Sequence, residues 1–235
     1  QRGHGSGSDV AAQISDLVLM NSDFSSMPSV VAEGAGINNI ERAASLYLVK
    51  NIFSLILAVI SITAAFSYPL TPSQLTLMSL LAIGIPSLIL ALEPNENLVQ
   101  GKFLRNAILR ALPAAFTDLF IIIFVLLFQQ AFQINNNEIS TITALLVTIV
   151  GFFMLWKVAK PVNRLHVGMM AGLIAALVFI VLFLPGLFSL SPLSFGGYLI
   201  LILFTLLILV IWLPNKALEG LLLLLQKAEG GKRAA

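Results

Sequence analysis

The chain has 235 residues, of which 58% are hydrophobic and only 10% are charged, and its mean hydropathy is +0.98. Soluble domains carry about 25% charged residues and roughly half apolar ones, so this composition excludes a soluble globular enzyme and a disordered chain. The sequence has no cysteine for disulfides or thiolate metal sites, and its two histidines argue against a histidine-built metal centre.

The first 47 residues are polar enough to lie outside a membrane. Ser8-Asp9 is a typical helix cap, the apolar run at 17–20 predicts a short buried strand, and Pro28 predicts the first turn of a second helix. A segment of this size is too small to bury a core of its own. Two interpretations stay open, a cytoplasmic tail or the end of a larger α/β domain.

Six stretches that follow are long and apolar enough to cross a membrane, which takes about 20 residues of helix. Turn-forming or charged residues separate them. The sequence therefore predicts an all-α polytopic membrane protein with six transmembrane helices and a short N-terminal α/β remnant. The predicted spans cover residues 48–68, 74–92, 108–130, 139–156, 167–185 and 195–213.

The basic residues indicate how these spans are oriented. With the N-terminus on the cytoplasmic side, all 13 Lys and Arg residues fall on that side and none in the three opposite connections. Because positive charge stays on the cytoplasmic side of membrane proteins, we expect a multi-pass protein of the cell membrane with both termini in the cytoplasm. Orientation also accounts for the basic charge, so nucleic-acid binding is not indicated.

Polar residues in the first two spans are candidates for an ion path. Asn51 and Ser54 are three residues apart and share a helix face, and Ser79 precedes Gly84 and Pro86 in the second span. Pro86 removes a backbone donor, which should free the carbonyl four residues earlier. Freed carbonyls and side-chain oxygens are ligands for hard cations. The alternative is that these side chains only hydrogen-bond neighbouring helices.

Asp118 is the one acidic residue well inside a predicted span, about ten residues into the third. A carboxyl group at this depth has to be protonated, paired or turned toward a water-filled crevice. Arg110 and Lys102 lie toward the cytoplasmic end of the span and are its candidate partners. Asp118 is therefore either a proton or ion relay or a paired structural residue.

Several short motifs occur in order in the first 100 residues: Ser6-Gly7-Ser8-Asp9, Asn21-Ser22-Asp23-Phe24, Glu33-Gly34, Asn38-Asn39, Ile83-Gly84-Ile85-Pro86 and Leu92-Glu93-Pro94-Asn95. Together they resemble the end of the phosphorylation domain and the fifth and sixth membrane helices of bacterial cation-transporting P-type ATPases. The resemblance implies that the six spans are the fifth to tenth helices of that family. It divides the chain into the end of a HAD-like phosphorylation domain (1–35), a stalk (36–47), a membrane domain (48–213) and a cytoplasmic tail (214–235).

The same resemblance implies roles for the polar residues of the first two spans. Asn51 matches a position that supplies an amide oxygen to the ion. Ser54 stands where calcium pumps of the family often have Glu, and Ser79 where Asn is common. Ala82-Ile83 replaces a Thr-Asp pair. The transported ion would be calcium or another cation, bound more weakly than in relatives that keep the carboxylates.

The resemblance implies that the chain is the membrane transport module of an ATP-driven cation pump. The family motifs Asp-Lys-Thr-Gly, Thr-Gly-Glu and Gly-Asp-Gly do not occur in the sequence. ATP and Mg²⁺ would accordingly bind a missing N-terminal half, and we expect this chain alone to bind no cofactor and hydrolyse no ATP. A fragment, a degenerate gene or an engineered truncation would have these features. Two alternatives are a stand-alone six-helix channel or secondary transporter centred on Asn51, Ser79 and Asp118, and a non-catalytic membrane scaffold.

Overall fold

The computed structural model of the protein describes residues 27–63, 67–93 and 103–212, with only the backbone described for 27–38. These residues form seven α-helices, one π-helical segment and one 3₁₀ turn, and they contain no strand. The elements are α1 (Met27–Thr63), α2 (Pro72–Met78), the π segment (Ser79–Gly84), α3 (Ile85–Leu92), α4 (Phe103–Phe132), α5 (Asn136–Val158), α6 (Arg164–Phe183), the 3₁₀ turn (Pro185–Phe188) and α7 (Phe195–Trp212).

Six of these helical stretches are long and apolar enough to span a membrane, which confirms the predicted all-α polytopic fold. The second span consists of α2, the π segment and α3 in one continuous run. The described part of the first span reaches Thr63, and the third span already includes Phe103, five residues before its predicted start at 108. The predicted helix cap at Ser8-Asp9, the predicted strand at 17–20 and the predicted tail at 214–235 lie outside the described residues.

Side-chain caps set where several of these helices begin. The Thr71 hydroxyl accepts a hydrogen bond from the backbone N–H of Gln74, and the Gln74 side chain accepts one from the Thr71 N–H. Asn163 and His166 form the same reciprocal pair at the start of α6, at 2.8 and 3.3 Å. Such capping boxes satisfy backbone donors that a helix start leaves free. They explain why the polar turns between the predicted spans lead directly into new helices.

Helix α5 lies at the centre of the bundle. In the most apolar 18 residues of α5, 78% are buried inside the bundle, compared with 28% in α6 and 22% in α7. It contacts α4, α7, α2 and the π segment, while α1 packs mainly against α4 and α3. The interface side of α4 carries four fully buried alanines, which allow the close helix approach that stabilises bundles in lipid. These residues are Ala107, Ala111, Ala114 and Ala115.

At the end of the bundle opposite Glu93, Glu138 joins the start of α5 to the start of α7. Its Oε1 accepts hydrogen bonds from the Ser194 backbone N–H at 2.7 Å and from the Ser194 hydroxyl at 2.6 Å. The carboxylate lies directly against Gly197, where an added Cβ would collide with Oε1. Gly197 is therefore the residue that gives Glu138 room to reach Ser194.

We expect Gly197→Ala to lower the free energy of unfolding by about 1–2 kcal/mol, because the new methyl group displaces the Glu138 carboxylate. Thermal unfolding of the protein in detergent measures this effect. Gly196→Ala is the matched control, since a Cβ there would meet the Ser194 hydroxyl at an ordinary 3.7 Å. Equal stability of the two variants would contradict the proposed role of Gly197.

Candidate functional site

A hydrogen bond and an ion pair fix the relative depth of residues in the first two spans. Asn39 Nδ2 donates to the backbone oxygen of Glu93 at 2.5 Å, and Arg42 Nη1 lies 3.8 Å from Glu93 Oε2. Ser54 is twelve residues beyond Arg42, and Ser79 is fourteen residues before Glu93. At 1.5 Å per residue these separations are about 18 and about 21 Å, so the two serines lie at similar depths on neighbouring antiparallel helices.

None of the three predicted ion-path side chains belongs to the buried core, and we call the outer part of the pair formed by α1 and the second span, which carries them, the edge. Asn51 is exposed, and Ser54 and Ser79 are partly buried. The Ser79 hydroxyl donates to the Leu75 carbonyl of its own helix at 2.6 Å. The Ser54 hydroxyl is inaccessible and has no hydrogen-bond partner among the described residues. A buried hydroxyl without a partner costs free energy, which makes Ser54 a candidate ligand for an ion.

The second span changes its helical register at the depth of Ser79. From Ser79 to Gly84 it is π-helical, and the Ile85 N–H donates to the Leu80 carbonyl five residues earlier. The wider turn brings the Ser79 carbonyl to 3.2 Å from where a Cβ on Gly84 would lie, which favours glycine there. Pro86 follows and has no N–H to donate back into this turn. Single π turns are often found at functional sites.

Sequence reasoning expected a freed carbonyl but missed the π segment that precedes Pro86. The combination of Gly84 with a proline two residues later was the available signal. The π segment packs closely against α5. A Cβ added to Gly151 on α5 would lie only 2.5 Å from the Ala82 Cβ. Ala82 and Ile83 are both buried, so they face the interior of the bundle and not the edge that carries Asn51.

Asp118 does not belong to this edge. It lies on α4, is 0% exposed, and neither of its carboxyl oxygens has a hydrogen-bond partner among the described residues. Arg110, one of its two expected partners, instead forms an ion pair with Glu41 at 3.1 Å. Lys102, the other, lies outside the described residues. Among the described residues, neither carboxyl oxygen of Asp118 forms a hydrogen bond with Asn51, Ser54 or Ser79.

A polar cluster around Glu93, which sequence reasoning did not identify, joins three spans at one end of the bundle. Glu93 Oε1 accepts a hydrogen bond from Asn163 Nδ2 at 2.6 Å, and Oε2 lies 2.9 Å from His166 Nε2. Arg42 Nη2 also donates to the Lys160 carbonyl at 2.7 Å. We call Arg42, Glu93, Asn163 and His166 the Glu93 cluster. It connects α1, the end of α3 and the start of α6.

The hydrogen bonds of His166 define which ring nitrogen carries the proton. Nδ1 accepts from the Asn163 backbone N–H at 3.3 Å, so this nitrogen has a free lone pair. Nε2 is then the protonated nitrogen and donates to Glu93. His166 is 1% exposed, and the side chain of Glu93 is 11% exposed. Asn163 and His166 thus each donate to one oxygen of the largely buried Glu93 carboxyl group, and the Arg42 guanidinium lies close by.

The ligand chemistry of the edge is that of neutral oxygens. Asn51, Ser54 and Ser79 offer one amide oxygen and two hydroxyls, and a hard cation such as Ca²⁺ takes six to eight oxygens in total. In the part of the chain that the structure describes, no group of three or more His, Asp or Glu side chains could hold a metal ion. The edge could supply some of the ligands of a cation, with the others coming from elsewhere.

The known proteins to which this chain is similar include cation-transporting and calcium-transporting ATPases. No protein-family model matches the chain. The chain is 35% identical over 164 residues, or 66% of its length, to exp7 of Streptococcus pneumoniae, a probable cation-transporting ATPase. It is 29% identical over 206 residues, 80% of its length, to the calcium-transporting ATPase CtpE of Mycolicibacterium smegmatis. It is 34% identical over 97 residues to calcium-transporting ATPase 1 of Saccharomyces cerevisiae.

These relatives are much longer than the region they share with this chain. The match covers 21% of the Streptococcus protein and 26% of the Mycolicibacterium protein. The chain therefore spans about a fifth to a quarter of the length of these relatives.

Proposed function

We propose that this chain is the membrane transport module of an ATP-driven cation pump. It is homologous to cation-transporting P-type ATPases, and its six apolar helices fit the C-terminal transmembrane region of those proteins. The homology over 66–80% of the chain is the observation that carries this proposal. Relatives named as calcium-transporting ATPases favour calcium among the possible cations.

The ion path would follow the edge between α1 and the second span. Asn51 would supply its amide oxygen, Ser54 and Ser79 their hydroxyls, and the π segment a carbonyl that Pro86 leaves without a donor. Three observations support this placement. Ser54 and Ser79 lie at similar depths, the Ser54 hydroxyl has no partner among the residues that the structure describes, and the helical register changes at this level. Ligands from outside the described residues would complete the coordination shell.

The proposed orientation puts the Glu93 cluster on the cytoplasmic side of the cell membrane, with both termini in the cytoplasm. Arg42, Arg110, Lys157, Lys160 and Arg164 lie at this end of the bundle. The opposite end is built from Gln74, Ser140, Ser189 and Glu138, which are uncharged or acidic. The positive-inside rule supports this assignment.

Helix α1 would transmit the movements that ATP hydrolysis drives to the proposed ion path. This helix runs without interruption from Met27 through the predicted stalk into the first span, so a movement at its start would be transmitted to Asn51. The partner would be an N-terminal half that binds ATP and Mg²⁺ and carries the phosphorylated aspartate. We further propose that the present 235 residues hydrolyse no ATP by themselves, since the Asp-Lys-Thr-Gly motif does not occur in them.

Asn51→Ala should weaken the apparent affinity for the transported cation about 10-fold, the effect of about 1.4 kcal/mol from one lost oxygen ligand. Ser54→Ala and Ser79→Ala should each have a smaller effect in the same direction. The measurement is ATP-dependent, vanadate-sensitive ⁴⁵Ca²⁺ uptake by inside-out vesicles from cells that express the reading frame containing these residues.

The matched control is Thr205→Val on α7, which removes a hydroxyl that only bonds the Leu201 carbonyl of its own helix at 2.7 Å. Its transport should equal that of the unmodified protein. If all three edge substitutions also left transport unchanged, the ion path would not pass between α1 and the second span. Cation flux that needs no ATP would favour the channel or secondary-transporter alternative.

A further inference from the structure

Asp118 occupies the middle of α4, fifteen residues after Phe103 and fourteen before Phe132. Its side chain is 0% exposed, and no described N–H or O–H group donates to either carboxyl oxygen. Buried carboxylates in proteins are normally paired or hydrogen-bonded, because an isolated charge away from water is very unfavourable. The position of Asp118 thus calls for an explanation that the proposed ion path does not give.

Contacts between neighbouring helices show which residues lie at the same depth in the bundle as Asp118. Glu41 pairs with Arg110 at 3.1 Å, and Asp118 lies eight residues beyond Arg110, level with Val49 on the parallel α1. On the antiparallel α5, the hydrogen bond between Gln129 and Asn136 puts Asp118 level with Val147. Val49 and Val147 are both buried and apolar. The buried Thr148 lies at the same level of α5, but its hydroxyl donates to the Ala144 carbonyl of its own helix at 2.8 Å and not to Asp118.

Charged side chains on α4 and on the helices packed against it are the possible partners of Asp118. None of them forms an ion pair with Asp118 among the described residues. Lys50 is nearly level with Asp118 on α1, but its side chain is partly exposed and the two groups are not paired. The described charged groups on these helices are Glu41, Arg42 and Lys50 on α1, Arg105 and Arg110 on α4, and Glu138 and Lys157 on α5.

We infer that Asp118 is a proton-binding site inside the bundle, separate from the edge that carries Asn51, and that its carboxyl group holds a proton in this structure. A proton neutralises the group without needing further ligands. A metal ion would need several oxygens around it, and no cluster of metal-ligating side chains in the described part of the chain includes Asp118. A proton is therefore the cation that this site takes.

A protonated carboxyl group in apolar surroundings has a characteristic chemistry. Its O–H adds across a C=N bond of a hydrophobic carbodiimide, so that a C–O bond forms and the proton moves to nitrogen. The resulting O-acylisourea rearranges to a stable N-acylurea by transfer of the acyl group to nitrogen. No atom leaves and no oxidant is needed. A carboxylate held in an ion pair, such as Glu41 or Glu93, reacts far less because it has no proton to contribute.

The test uses the full 235-residue chain in detergent or liposomes and two readouts. The first is the infrared C=O stretching band of a protonated carboxyl group at neutral pH, which should be present in the unmodified protein and absent from Asp118→Asn. The second is labelling with dicyclohexylcarbodiimide, which should add one carbodiimide to the peptide containing Asp118. Glu41→Gln is the matched control and should keep both signals.

The infrared band is decisive, because it does not depend on entry of the reagent. Absence of an Asp118-dependent band would overturn the inference. So would loss of the band or of the labelling when Ca²⁺ or Na⁺ is added at constant pH, since a metal ion would then be the ligand. The inference does not depend on the proposed pump function, and a chain that transports nothing could still give both signals.

The unfolding temperature of Asp118→Asn distinguishes a neutral Asp118 carboxyl group from a charged one that is stabilised by a partner. Asparagine has nearly the size and polarity of a protonated aspartic acid, so Asp118→Asn should leave the unfolding temperature unchanged. If a charged carboxylate were stabilised by a partner, the same substitution would lower that temperature clearly. Asp118→Asn with intact stability and no infrared band is the expected outcome.

Discussion

Glu93→Ala should lower the free energy of unfolding by about 3–5 kcal/mol, the cost of removing one partner from a buried charged cluster. The substitution removes the carboxylate beside the Arg42 guanidinium, whose side chain is 6% exposed, and leaves the buried Nε2–H of His166 without its acceptor. It also releases the end of the second span from α6, because Asn163 loses its contact with Glu93. Thermal unfolding in detergent, followed by loss of helical circular dichroism, gives the measurement.

Two variants make this result interpretable. Lys160→Ala removes an exposed side chain whose residue contributes only its backbone carbonyl to Arg42, so its effect should stay within about 0.5 kcal/mol. Arg42→Met in the Glu93→Ala background should cost little more than Glu93→Ala alone, since the unpaired charge is then removed as well. A Glu93→Ala protein as stable as the Lys160→Ala protein would show that the Glu93 cluster does not hold the spans together.

Gly151→Ala should lower the free energy of unfolding by about 2–3 kcal/mol, because it overfills the contact between α5 and the π segment. The new Cβ would lie 2.5 Å from the Ala82 Cβ, well inside van der Waals contact. The gain of about 1 kcal/mol that alanine brings over glycine in a helix is too small to offset this. Since Ala82 is part of the π segment that begins at Ser79, cation uptake should fall together with stability.

The reciprocal variant identifies the cause. Ala82→Gly combined with Gly151→Ala moves the methyl group from one helix to the other and should recover most of the lost stability and uptake. Gly172→Ala on α6 is the control, because a Cβ there meets nothing within 4 Å and should not destabilise. A double variant no better than Gly151→Ala would mean that the Ala82 contact is not the cause.

The sequence identified the candidate residues of the ion path, but it could not give the surroundings of their side chains. The three-residue spacing of Asn51 and Ser54 follows from helix geometry alone. That Asn51 is exposed and the Ser54 hydroxyl unpartnered depends on how α1 packs against its neighbours. In the same way, the sequence identified Asp118 as unusual but proposed Arg110 as a partner. Only packing shows that Arg110 pairs with Glu41 and that Asp118 has no hydrogen-bond partner in the described part of the chain.

By itself, the sequence determined the class of the protein, the six apolar spans and the turns between them. Each of these follows from local composition over about 20 residues, which the thickness of the bilayer makes sufficient. The tertiary structure alone decided which side chains meet. Glu93, Asn163 and Arg42 are far apart in the chain and come together only when α1, α3 and α6 are packed. The π segment likewise accompanies the contact between Ala82 and Gly151, a pair 69 positions apart in the sequence that no local pattern connects.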